Sequence, residues 1–192
     1  MKLHKFIAVL VLLYVSHAAY ADSLNIQLSN KSARFLYAAE VFGGQFGPTD
    51  LEVGAYFNDV DDIVAHTSLV LKSDSIDNPF VAAIGGRFYY GDVGNAVGQT
   101  QASVAALTFG VSLSYRPERL IGVGFSAYYF ASPSVTSFMD AESFSEYGVA
   151  MDIDITEQVG FYVGYRNMSA DLDTGTELEI DDSFMYGFVF RF

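Results

Sequence analysis

The sequence predicts an all-β protein: a transmembrane, antiparallel, up-and-down β-barrel, with ten strands as the main reading and eight as the alternative. Three observations predict it. Apolar side chains recur at every second position over segments of roughly ten residues, the spacing of a strand with one apolar face. The connections between the later segments alternate between tight and long. The composition is 51% hydrophobic and only 17% charged, yet the single long apolar run lies at the N-terminus.

That run is a secretory signal peptide, expected to cover residues 1–21 and to be removed. Lys2 and Lys5 supply the positive start, Phe6 to Val15 the short apolar stretch, and Ala19-Tyr20-Ala21 the cleavage site. It is too short to span a bilayer as a helix. The barrel is then residues 22–192. Removing the leader leaves 8 basic against 23 acidic residues, a formal charge of −15. Such a chain does not seek the phosphates of nucleic acid. The absence of cysteine removes disulfides and thiolate metal sites. No cofactor and no metal centre are expected. His66 is the one histidine left beyond the leader.

The strands read, in order, at 23–29, 34–42, 51–58, 62–72, 80–90, 104–115, 120–130, 144–155, 159–168 and 183–192. The last five alternate most clearly. Leu107, Phe109, Val111, Leu113 and Tyr115 oppose Thr108, Gly110, Ser112, Ser114 and Arg116. Val123, Phe125, Ala127 and Tyr129 oppose Gly122, Gly124, Ser126 and Tyr128; Val149, Met151 and Ile153 oppose Ala150, Asp152 and Asp154. The second face is small or charged, which suits a narrow lumen better than the wet face of a β-sandwich. Connections at 116–119 and 156–158 are tight, while 91–103, 131–143 and 169–182 read as long polar loops. Ten strands put both termini on the periplasmic side. The short segment Asn58-Asp59-Val60-Asp61-Asp62 fits least well as an outer loop, which keeps eight strands open. Tyr89, Tyr90, Tyr115, Tyr128, Tyr129, Phe130, Tyr147 and Tyr165 lie near strand ends and read as aromatic girdles at the membrane interfaces.

The last strand places Phe184, Tyr186, Phe188, Phe190 and Phe192 at alternate positions, with Arg191 on the other face. Physically this is a lipid-facing stripe. It also resembles the terminal signal that the outer-membrane barrel assembly machinery reads, which implies that machinery as a partner. Beyond the class, "DSLNIQLSNKSARFLYA" (22–38), "DLEVGAYFNDVDD" (50–62) and the closing "MYGFVFRF" resemble the YfaZ family of Gram-negative outer-membrane proteins. The resemblance covers nearly all of 22–192. It implies an outer-membrane barrel of about this size and no established enzymatic activity, so no catalytic residues carry over.

Alternation sends charge inward. Arg34, Lys72, Arg87, Arg116, Arg166 and Arg191 fall on the lumen face, with Glu40, Glu52, Glu146, Asp152 and Asp154. In a narrow lumen such charges are expected to pair, because an unpaired buried charge is costly. The expected role is structural or in surface contacts, without catalysis. One alternative is a narrow channel for ions or small solutes, whose charges would line the path. A second is a lipid A-modifying hydrolase built on His66 and Ser68. Ala65-His66-Thr67-Ser68-Leu69 resembles the His-x-Ser of outer-membrane lipid A deacylases, but Leu69 stands where those enzymes have Asn. The acidic stretch 169–182 departs from the EF-hand spacing and reads as solvated surface charge. With Asp59, Asp61, Asp62, Asp92, Asp140 and Glu142 it predicts an acidic outer rim that meets outer-membrane lipid and lipopolysaccharide, whose phosphates divalent ions could bridge.

Overall fold

A computed structural model describes residues 22–44, 47–73, 79–94 and 102–192; the proposed leader, 1–21, lies outside the described residues. Eleven strands follow in chain order: β1 (Ser23–Leu28), β2 (Ser32–Gly44), β3 (Gly47–Asn58), β4 (Ile63–Lys72), β5 (Phe80–Val93), β6 (Ala102–Tyr115), β7 (Val123–Ser132), β8 (Ser137–Met139), β9 (Ala141–Asp154), β10 (Val159–Leu172) and β11 (Glu177–Arg191). Ten of them form the wall, each antiparallel to the next. β1 closes on β11 from Ser23↔Arg191 to Leu28↔Tyr186. The three-residue β8 pairs with β6 at Val104–Ala106, above the point where β7 leaves that strand. The first two segments both enter the wall, so the barrel has ten strands rather than eight.

Closure follows from the hydrocarbon solvent: a strand there must satisfy every backbone group on both edges, and only a ring leaves no edge. Outward positions carry the apolar set, as alternation requires. Phe109, Val111 and Leu113 of β6 and Phe184, Tyr186, Phe188 and Phe190 of β11 are all exposed on the outside, Phe184 to 82%. The end that carries both termini, with the connections 116–122 and 155–158, is periplasmic.

The outer connections are shorter than the sequence suggests. β5 runs to Val93, β10 to Leu172, and β11 starts at Glu177. The acidic stretch 169–182 is therefore mostly a hairpin, not a loop. Its turn uses Gly175 at φ 77, where Gly175 N–H reaches Leu172 O at 2.8 Å. Above the bilayer the outer face of these strands meets water. Asp171, Glu177 and Glu179 are accordingly exposed there, while Met168, Ala170, Leu178 and Ile180 point inward. A β-bulge at Ile180 shifts the register between Met168↔Asp181 and Ser169↔Glu179, and so turns Ile180 and Leu178 to the same inward face as Asp181. At the same end Asp62 accepts from Gly94 N–H (2.6 Å) and Asn58 Nδ2 (2.8 Å), tying the 59–62 turn to β5. Burial raises its carboxyl above the usual range against these hydrogen bonds.

Candidate functional site

The lumen is layered along the barrel axis. Towards the extracellular end the inward positions are apolar: Tyr56, Val64, Val93, Val104, Phe144 and Met168 belong to one buried cluster. None of these six is more than 1% exposed. Burying apolar surface here stabilises the upper barrel in the manner of a soluble core.

Beneath it lies a layer of buried charge. Glu146 of β9 is 0% exposed and accepts from Arg34 Nη1 at 2.6 Å, Arg87 Nη1 at 3.1 Å, Tyr128 Oη at 2.8 Å and Tyr89 Oη. Arg87 Nη2 also reaches Glu52 Oε2 at 3.0 Å, and Ser68 Oγ donates to the same oxygen at 2.6 Å. The Arg87 guanidinium lies 4.3 Å from the centroid of Phe130. Arg34 Nη2 sits 3.0 Å from His66 Nε2. Arginine only donates, so this nitrogen accepts and the ring proton is on Nδ1. A second buried pair joins Arg166 Nε to Asp181 Oδ2 at 2.8 Å, with Arg166 Nη1 donating to Gln27 Oε1 at 2.7 Å. Arg34 Nε and Arg87 Nε have no hydrogen-bond partner among the described residues.

Towards the periplasm the pairs become half-exposed. Arg116 reaches Asp152 at 2.5 Å and Asp154 at 2.6 Å; Arg191 reaches Asp154 at 3.0 Å; Lys72 pairs with Asp50. These groups surround a cavity of about 410 Å³ whose floor includes Arg34, Arg87 and Phe130. Among the described residues, six cations meet six carboxylates inside the barrel, so this paired interior is neutral in a strongly acidic chain.

Glycine makes room for the rings that fill the lumen. His66 faces Gly54 directly across the β3–β4 pair, Phe130 faces Gly110, Tyr128 faces Gly148, and Tyr162 faces Gly187. Each ring lies over the missing side chain. A Cβ at Gly148 would stand 2.7 Å from Tyr128 Cε1, inside contact distance. Gly148→Ala is expected to cost about 1–3 kcal/mol by overpacking. Adding Tyr128→Ala should remove most of that penalty, as a double-mutant cycle on denaturant unfolding would register.

The structure places the predicted residues as follows. Arg34, Glu52, Arg87 and Glu146 meet in one cluster, and Asp152, Asp154 and Arg191 meet in another through Arg116. Arg166 joins neither; it pairs with Asp181. Glu40 forms no ion pair among the described residues and stands beside the irregularity between Glu40 and Phe42. Tyr89, Tyr128 and Phe130 are not girdle residues: they face the lumen, because their strands put even and odd positions on opposite faces right up to the strand end. Phe184, Tyr186, Phe188, Phe190 and Phe192 all point outward. His66 and Ser68 lie in the lumen, buried and engaged by Arg34 and Glu52. Among the described residues no three metal-ligating side chains come together, in the acidic hairpin or elsewhere. Sequence reasoning missed Gln27, Tyr56 and Asp181, although counting back by two from Arg191 puts Asp181 on the lumen face.

Several solved structures align with this chain at low identity. The KdgM porin aligns over 90% of this chain and 99% of its own, at 9% identity and a TM-score of 0.45. The NanC porin aligns over 91% and 100%, at 13% identity and a TM-score of 0.44. The outer membrane channel DcaP of Acinetobacter baumannii aligns over 88% of this chain and 54% of its own, at 13% identity and a TM-score of 0.45. No curated protein matches the sequence. The profile of one family, described as YfaZ precursor, matches residues 1–192. With its closed ten-stranded wall and that match over its whole length, the chain is an outer-membrane β-barrel and belongs to the YfaZ precursor family.

Proposed function

We propose that this barrel is closed to solutes and serves the outer membrane structurally or through contacts at the cell surface, without catalysis. The observation that supports this is the apolar layer across the extracellular half of the lumen, where Tyr56, Val64, Val93 and Val104 are at most 1% exposed. Below it the charges are consumed in pairs rather than arrayed along a path. Narrow barrels have room for side chains or one small ligand, and not for a wide aqueous channel. A hydrolytic reading on His66 and Ser68 finds no support in the geometry, since Ser68 donates to Glu52 and His66 accepts from Arg34. The test is single-channel recording of refolded 22–192 in a planar bilayer. The expected trace is a silent baseline after folding is verified by heat-modifiable migration. Steady open-channel currents would overturn the proposal in favour of a narrow channel.

A further inference from the structure

The periplasmic cavity has no part in a purely closed barrel, and its chemistry is lopsided. The cations on its lining are Arg34, Lys72, Arg87, Arg116 and Arg191. The carboxylates on it are only Glu52 and Asp152. Glu146 is fully buried beneath the floor, whereas Asp50 and Asp154 pair with Lys72, Arg116 and Arg191 at the mouth, so the paired interior is neutral while cations outnumber carboxylates five to two on the lining itself. At the floor Arg34 and Arg87 keep only 3% and 7% of their side chains exposed, so the cations open to a solute are those of the mouth. Between the charges, Asn25, Ser112, Ser126 and Tyr128 offer neutral hydrogen-bonding groups.

The mouth is at the periplasmic end, where Lys72, Arg116 and Arg191 keep 39%, 46% and 36% of their side chains exposed. The far end is shut by the apolar layer. A blind cavity with low-dielectric walls focuses the field of the charges that line it. Guanidinium forks match the paired oxygens of a carboxylate or phosphate. At about 30 Å³ per water, the volume corresponds to roughly a dozen waters, which suits a compact solute and not a polymer.

We infer that the cup is a binding site for a compact, hydroxyl-bearing organic anion, a carboxylate or a phosphate ester, admitted from the periplasm. Arg116, Arg191 and Lys72 hold its charge at the mouth, and the Tyr128 hydroxyl meets it towards the floor. The inference rests on the closed-barrel reading only for the cup being blind.

The test is calorimetric titration of refolded 22–192 in detergent with malate, with glycerol 3-phosphate, and with neutral glycerol. Saturable one-to-one binding of at least one anion, and none of glycerol, is the expected result; the two arms tell carboxylate from phosphate. Arg116→Gln with Arg191→Gln should weaken that binding about tenfold, since two of the five lining cations are lost. Lys72→Gln is the second variant should the double one fail to fold. No saturable heat with either anion, equal binding of glycerol, or unchanged affinity in a folded variant would each overturn the site. Conductance is a separate readout: currents with intact anion binding would sink the closed barrel and leave the cup standing.

Discussion

Replacing Glu146 with Gln is expected to destabilise the folded barrel by about 3–5 kcal/mol, the loss that follows when one member of a buried charge cluster is removed and its partners stay behind. Glu146 is fully buried and is the shared acceptor of Arg34 and Arg87, with Tyr128 and Tyr89 closing around it. The amide keeps the shape and one acceptor oxygen but not the charge. Two guanidinium groups would then share Glu52 as their single nearby carboxylate, and Arg34 forms no ion pair with Glu52. Neither arginine can shed its proton to relieve the strain. The comparison is Arg116→Gln at the mouth. Arg116 is 46% exposed, so water takes over much of its role and the loss should stay below about 1 kcal/mol. Guanidinium unfolding in lipid vesicles, followed by heat-modifiable migration, reads both variants. Equal losses at the two positions would show that depth in the lumen does not set the value of the pairs.

The second large effect is on the opposite face. Val111→Arg is expected to cost about 2–4 kcal/mol, the range for a cation on the lipid face near the bilayer midplane. Val111 is the middle of five outward residues on β6, from Leu107 to Tyr115, and is 55% exposed to the outside. Nothing polar on the outer wall can receive the guanidinium there, and the side chain must reach past Leu113 or Phe109 to find headgroups. One residue further on, Ser112 lines the periplasmic cup. Ser112→Asn should therefore change stability by no more than about 0.5 kcal/mol. A Val111→Arg barrel as stable as the parent would mean that the face assignment of β6 is wrong.

Period two makes most of the wall legible in the sequence. Inside the bilayer, lipid demands apolar side chains on one face and the lumen tolerates small or charged ones on the other, so Leu107 to Tyr115 can be sorted by counting. Above the bilayer the same strands reverse their polarity. Asp171, Glu177 and Glu179 face water while Met168, Leu178 and Ile180 face inward, and a pattern of acids then reads as a loop. Counting back from Arg191 reaches Asp181 on the lumen face, but the bulge at Ile180 breaks the count for Ile180 and Leu178 above it. The lumen charges can be assigned to a face, but their partners cannot. Arg34 and Glu146 are 112 residues apart, and only the ring closure brings their strands to opposite sides of one small lumen. Tyr89 and Tyr128 look like interface aromatics in the sequence because residue type alone does not tell a ring that floats in headgroups from one that binds a buried carboxylate.

The ring-over-glycine contacts carry a consequence for how this sequence can change over time. Each contact links two neighbouring strands at directly opposed positions: 54 with 66, 110 with 130, 128 with 148, and 162 with 187. Enlarging a glycine without shrinking its ring is blocked sterically, and shrinking a ring alone opens a void beside the charges. Descendants of this chain are expected to alter these positions two at a time. A two-residue slip of any of these strands would set a ring against a side chain instead of a gap, so the same four matches also act as keys that admit a single register during assembly.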